Sequence, residues 1–338
     1  MFSPMAHDAH ISDIREVDVH VQRSQFQALT QEMTQIDKSE LHLHLGGSWP
    51  IDYLAQIADP ALFLELSRLL DQIQNGVNYH EAFRVFELTG KIVNTDQKVE
   101  DGVVALCKTL ADDRVIYAEI RTGLKDLGSG LEGYLNALLR GVKQGCAHHK
   151  LTVDVVLSLR RDSVADVAHK TVELIRKYRH HGVVGLDLSG DSTRGDGKDI
   201  FQAIAQAQAQ NIPITLHIGE SPKETAEQQL KELQTIKPQR IGHGVHLCPE
   251  AIKLIREKKI PVELCLTSAV KVGMIGEARM HPGLALLSQN HPVVICTDDP
   301  LIFRTTLSEE CAHVARINKL NKTDMIKLQK QALEYRLK

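Results

Sequence analysis

From residue 115 onward the chain alternates short apolar runs with longer stretches whose apolar residues recur at helical spacing, and this alternation restricts its fold more than any other feature. The run VIYAEI (115–120) leads into a helical pattern at 131–147, LTVDVVLSL (151–159) into 163–178, and VVGLDL (183–188) into 199–210. IPITLH (212–217) leads into 223–233, and the very short RIGH (240–243) into 249–258. IPVELCL (260–266) and PVVICT (292–297) are the last apolar runs, before two helical stretches at about 307–317 and 322–337. One more strand, 39–45, lies upstream, after a stretch in which Phe26, Leu29, Met33 and Ile36 recur at helical intervals. Strands separated by helices imply a parallel sheet, and eight such units close into a (β/α)8 TIM barrel, an α/β fold. An open doubly wound sheet would want G-x-G-x-x-G after its first strand, where this sequence has HLHLGGSWP. Residues 50–113 are helical throughout, too long for one crossover, and read as an insertion after strand one. The 338 residues are thus expected to form one barrel domain with extra terminal helices and a loose N-terminal arm at 1–20.

In such a barrel the side chains at the carboxyl ends of the strands converge on one mouth, where chemistry takes place. Strand one ends in His42 and His44, which share a face at the strand period of two, with Leu41, Leu43 and Leu45 on the other. Strand four ends in Asp187-Leu188-Ser189-Gly190-Asp191, strand five in His217 followed by Ile218-Gly219-Glu220, and strand six in Gly242-His243-Gly244. Strand eight ends in Asp298-Asp299-Pro300. The other ends are blander: Glu119 and Arg121, Arg160 and Arg161, Thr267 and Ser268. Four histidines and two aspartates therefore collect at one rim. Three imidazoles and one carboxylate suit a divalent metal, zinc above all, with a position left for water whose pKa the metal lowers to about 7. His243 is placed to orient that water and Glu220 to act as an acid. Taken singly, Glu220 reads as a helix cap, Asp299 as a turn residue and His243 as a loop histidine; their common position at strand ends argues for chemistry. The histidine pairs 148–149 and 180–181 fall at helix ends on the opposite face and read as surface residues.

Composition narrows the class. A net charge of −3 with intermixed signs and no basic tract favours neither nucleic acid nor an anionic membrane. The hydrophobic share is 43% and the aromatic share 4%, so the core is expected to be Leu, Ile, Val and Ala. Six cysteines without a C-x-x-C read as reduced core thiols. The N-terminus lacks the apolar region of a secretory signal, and no run approaches the ~20 residues of a membrane span, so a cytoplasmic location is expected.

The ordered set H-L-H-L-G-G (42–47), H-I-G-E (217–220), R-I-G-H-G (240–244) and T-D-D-P (297–300) resembles the adenosine deaminase family, from about Lys38 to the end of the chain. It does not resemble the cytidine-deaminase type, whose H-x-E…P-C-x-x-C signature is absent. The resemblance implies one zinc ion per chain, held by His42, His44, His217 and Asp298. It implies that Glu220 protonates the purine ring nitrogen N1 and that His243 positions or deprotonates the attacking water. Asp299 would hydrogen-bond the nucleophile and the developing tetrahedral centre, and Gly190 would contact the purine through its backbone. His44 and Gly46 complete the substrate-binding set.

Two positions depart from the family. Adenosine deaminases carry an acid directly after H-x-H-L, against the ribose 5′-hydroxyl; here that position is Gly46, which removes a repulsion against a 5′-phosphate. The branch acting on N6-methyl-AMP also lacks the acid, and GLDLSGD (185–191) and VELCLTSAVK (262–271) look closest to that branch. Lys271, Arg194, Lys198 and Arg304 are candidate phosphate contacts. The second departure is Ala269, where the family usually has Asn after Ser268. The expected substrate is a small purine nucleoside or nucleotide, with N6-methyl-AMP ahead of adenosine or deoxyadenosine, and adenine third. Another amidohydrolase would want a bridging lysine on strand four, which 187–190 lacks, and an inactive homologue should have lost a ligand or the acid. The segment 50–113 is placed to act as a lid.

Overall fold

The computed structural model describes residues 23–74, 79–190 and 198–338, the side chains of 79–81 and 198–199 excepted; the expected arm at 1–20 lies outside them. Eight strands form the sheet: β1 (Lys38–His44), β2 (Val115–Thr122), β3 (Thr152–Arg160), β4 (Val183–Ser189), β5 (Ile214–Ile218), β6 (Arg240–His243), β7 (Val262–Leu264) and β8 (Val293–Ile295). Each pairs in parallel with the next, in sequence order, so the sheet is the expected barrel. Between β8 and β1 the closure is a single parallel bridge, Leu43 to Asp298. There His44 N donates to Asp298 O and Asp298 N to His42 O, both at 2.9 Å.

Helices follow the strands as the alternation requires. Among the described residues the insertion holds four, Ile51–Ile57, Pro60–Gln74, Tyr79–Ile92 and Asp96–Asp112. Their starts are written in the sequence. Thr95 accepts from Lys98 N, and Thr306 and Asn321 form capping boxes with Glu309 and Asp324. β5, β7 and β8 begin later than the apolar runs suggest, because Pro213, Pro261 and Pro292 have no N–H to donate; they enter the ladder only through their carbonyls. The 265–291 connection, in which the sequence reading marks no helix, contains Leu266–Lys271, Ala278–Met280 and Pro282–Ser288, each too short to show a period. Four cysteines are buried as expected, but Cys146 and Cys248 are half-exposed, and Cys248 caps a helix by accepting from Ala251 N. Among the described residues no helix is long and apolar enough to cross a membrane.

The barrel interior departs from the usual apolar layers. Glu119, Arg121, Asp187, Arg240 and Glu263 are all fully buried in it. Arg240 pairs with Glu119 and, through Nε at 2.7 Å, with Glu263; Arg121 reaches Glu263 at 3.1 Å and Asp187 at 3.4 Å. The C-terminal segment docks on this network, with Arg240 Nη1 donating to Tyr335 O and Leu337 N to Glu119, each at 2.7 Å.

Another buried carboxylate, Glu310, holds the helix that follows β7. It accepts from Leu266 N and Thr267 N at 3.2 Å and from Thr305 Oγ1 at 2.7 Å. Burial pushes its carboxyl from 4.5 up to about 7, against the pull of those hydrogen bonds. A raised folded pKa means that the native state binds the proton more tightly than the unfolded chain. The resulting stabilisation is full below pH 4.5 and is lost as pH rises through about 7. Glu310→Gln keeps the contacts without the titration. Wild-type stability in urea should therefore fall relative to the variant by up to about 3 kcal/mol across that window. A wild-type-minus-variant difference that does not change with pH would contradict this.

Candidate active site

The strand period places His42 and His44 on the same side of β1, and the closing bridge brings Asp298 against them. His42 Nε2 lies 3.2 Å from His44 Nε2 and 3.2 Å from Asp298 Oδ1. His44 Nε2 lies 3.1 Å from His217 Nε2 and 3.5 Å from Asp298 Oδ1. Behind these atoms, His42 Nδ1 meets Glu263 at 2.6 Å and His217 Nδ1 meets Asp187 at 2.9 Å. An ionised carboxylate only accepts, so each ring carries its proton on Nδ1 and turns an Nε2 lone pair toward the cluster. Lone pairs facing one another at this spacing repel unless a cation stands between them. The donor set, three imidazole nitrogens and one carboxylate oxygen, therefore fits a divalent metal. Burial and Arg121 lower the His42 pKa, but Glu263 and Asp298 raise it above its ordinary value; His44 and Asp298 are in the ligating form. Burial holds His44 well below its ordinary pKa, hence neutral. Burial pushes Asp298 up, but His42, His243 and His44 pull its carboxyl well below the usual range, hence ionised. Asp298 (φ 66°) and His243 (φ 62°) both have left-handed backbones, local strain that the surrounding packing has to hold.

Glu220 and His243 flank the cluster. His243 Nε2 lies 3.3 Å from Glu220 Oε1, and its ring centroid 4.8 Å from that of His42 and 5.1 Å from that of His217. Burial pushes Glu220 up to about 7, with Asp298 and Glu224 adding to it and His217 opposing. Burial pushes His243 the other way, well below its ordinary value. His243 Nδ1 and Asp299 Oδ1 are buried without a protein partner, available to a bound molecule. Burial, Asp298 and Glu220 push the Asp299 carboxyl well above its usual range. A Cβ on Gly47 would stand 1.9 Å from Asp299 Oδ1, so the glycine is what lets that carboxylate pack over the turn.

His44, His217, Glu220, His243, Asp298 and Asp299 line one cavity of about 700 Å³ at the barrel mouth, together with Gly46, Gly190 and Ser268. The insertion supplies one wall through Phe83 and Phe86; Leu124, Val272, Met274 and Phe303 add apolar surface, and Lys125 and Arg160 also line it, Arg160 donating to Asp162 at 2.9 and 3.1 Å. Burial lowers the Lys125 pKa. Two of the four cations singled out from sequence are elsewhere. Lys271 Nζ donates to Gln74 O at 2.8 Å, and Arg304 pairs with Asp71 at 2.5 Å and lines a separate cavity. Arg194, and the side chain of Lys198, lie outside the described residues. Sequence reasoning passed over Glu263, Lys125 and the two phenylalanines. A glutamate inside the apolar run IPVELCL signals a buried partner without naming it, and Phe83 and Phe86 share one stripe of an amphipathic helix. Nothing in the sequence marks Lys125.

Barrel, donor set and the Glu220–His243 pair at one mouth are the arrangement of a hydrolase. Residues 37–336 match the family model described as adenosine deaminase, and the chain belongs to that family. It is a hydrolytic deaminase acting on C–N bonds. A Xenopus laevis protein named N6-Methyl-AMP deaminase-L is 31% identical, over 89% of each chain. The apo structure of the N6-methyl-AMP deaminase from Arabidopsis thaliana superposes with a TM-score of 0.82 at 28% identity, over 91% of this chain and 94% of that one. An Arabidopsis structure described as ADAL complexed with IMP also gives 0.82 at 28% identity, over 90% and 93%.

Asp187 orients His217 from behind, and its replacement tests the donor set without touching a donor. Asp187→Asn should weaken divalent-metal affinity by about 10–100-fold, read by competition with a chromogenic chelator. Unchanged affinity would show that the cluster does not hold the metal.

Proposed function

We propose that this chain removes the 6-substituent of a purine nucleoside 5′-monophosphate by hydrolysis, N6-methyl-AMP before adenosine and adenine. One zinc ion would be held by His42, His44, His217 and Asp298. The observation that carries the reading is the Glu220–His243 pair, 3.3 Å apart beside the donor set, with proton affinities pushed in opposite directions. Bound zinc supplies Lewis acidity, which makes water nucleophilic near neutral pH. The chain does the rest. Glu220, protonated near neutrality, gives its proton to purine N1 and makes carbon 6 electrophilic. His243, unprotonated, accepts a proton from the attacking water. Asp299 hydrogen-bonds the tetrahedral centre forming at carbon 6, and the Gly190 backbone orients the purine edge. His243 passes the proton it took to the exocyclic nitrogen and the hydroxyl proton of the tetrahedral centre returns to Glu220, so the bond from carbon 6 to that nitrogen breaks and ammonia or methylamine leaves a 6-oxopurine. These contacts strengthen as the tetrahedral centre forms, which is where binding energy accelerates a reaction.

Support for the monophosphate comes from Gly46, where no acid opposes a phosphate, and from Lys125, which lines the cavity. The names of the relatives and the IMP bound to one of them point the same way. Six unpaired thiols support a cytoplasmic location.

Adenosine, AMP and N6-methyl-AMP assayed in parallel, with ammonia and methylamine quantified, should rank N6-methyl-AMP first. Glu220→Gln should keep its zinc and lose about a thousandfold in kcat. Lys125→Gln should raise KM for the nucleotide about tenfold and leave adenosine unaffected. A zinc-loaded protein that turns over none of the three would overturn the purine reading.

A further inference from the structure

The turn that ends β1 carries the family's missing acid, and what stands over it is an aromatic ring. A Cβ on Gly46 would lie 2.8 Å from Cδ1 and 3.4 Å from Cε1 of Phe86, closer than the ~3.5 Å at which carbon atoms begin to repel. Phe86 belongs to Tyr79–Ile92, and that helix is tied to the same turn, Thr89 Oγ1 donating to Gly46 O at 3.0 Å. The ring of Phe83 supports it, with centroids 5.9 Å apart. Gly46, Phe83 and Phe86 all line the cavity at the barrel mouth. A side chain at position 46 and a phenylalanine at position 86 therefore compete for one volume.

We propose that Phe86 is a specificity-determining residue: its ring fills the space an acidic side chain at position 46 would occupy and so selects a 5′-phosphate over a free 5′-hydroxyl. The inference rests on the substrate reading above. A carboxylate there would accept a hydrogen bond from a 5′-hydroxyl and repel a phosphate. A hydrocarbon wall does neither, and leaves the phosphate to a cation lining the cavity, Lys125. The absence of the acid is then a property of two positions, and restoring the acid alone cannot restore a nucleoside site.

A mutant cycle tests this. Wild type, Gly46→Asp, Phe86→Ala and the double variant are assayed with N6-methyl-AMP and N6-methyladenosine and melted with zinc bound, with Gly46→Ala as the uncharged control. Gly46→Ala and Gly46→Asp should each lower Tm and depress kcat/KM for both substrates, because the ring and its helix are displaced. Phe86→Ala should absorb that cost, so that the double variant melts close to Phe86→Ala. Relative to Phe86→Ala, the double variant should shift preference toward the nucleoside by about a hundredfold, the effect of setting a carboxylate against a phosphate. Additive Tm changes would show that the positions do not compete. A double variant with the preference of Phe86→Ala would remove the selective role. The Tm cycle needs no substrate, so failure of the pair is told apart from failure of the substrate reading, which would show as a wild type inactive on both purines.

Discussion

A single carboxylate at the centre of the barrel, that of Glu263, ties the scaffold to the site. It is fully buried in the middle of a three-residue strand and accepts from four donors: Arg121 at 3.1 Å, Arg240 at 2.7 Å, Thr215 at 2.9 Å and His42 at 2.6 Å. Burial alone would raise its pKa, but the two guanidiniums and His42 hold it well below the usual range. Such a network is weak evidence for stability, since well-packed apolar residues often do as well. Its consequence here is orientational. The carboxylate fixes the tautomer of His42 and aims its Nε2 at the mouth. Arg121 also reaches Asp187, which takes a hydrogen bond from Ser158 at 2.8 Å and fixes His217 in the same way. One arginine thus links the two carboxylates that set two of the four donor groups.

The barrel closes at those same groups. The β8–β1 junction has one bridge, and its backbone hydrogen bonds run between Asp298 and the two histidines of β1. Glu40 reinforces the seam from inside, accepting from His42 N at 2.9 Å and from Thr297 N and Oγ1 at 3.0 and 2.7 Å. The sheet cannot close without bringing Asp298 to His42 and His44, so completing the fold and assembling the donor set are one event. The left-handed backbone of Asp298 is the local cost of that junction.

Strand-end logic reads much of this from sequence because histidines and aspartates are rare in apolar runs, and the period of two assigns them a face. It gives the barrel, the insertion and the side chains that meet at the mouth. It misses what depends on partners distant in the chain. The arginines and glutamates of the interior are visible as charges on strands, but not who pairs with whom. Lys271 and Arg304 look like free cations until a carbonyl and Asp71 are found beside them. Gly46 looks like a simple loss of an acid until Phe86 is found above it. Proline explains the late starts of β5, β7 and β8, each of which follows one.

The Glu220–His243 pair shows how a buried cleft can prepare both halves of a proton-transfer reaction. In water a carboxyl group gives its proton to an imidazole, leaving an ion pair. In a cleft where both are buried, each group is disfavoured in its charged form, so the carboxyl pKa rises and the imidazole pKa falls. The order of proton affinity inverts, and the pair rests as a neutral acid beside a neutral base. That is the state in which one partner can donate and the other accept at the same pH. It depends first on water being kept out, and the phenylalanines of the insertion contribute to that by walling the mouth. The helical segment between β1 and β2 therefore bears on the chemistry through the dryness of the cleft as well as through its shape.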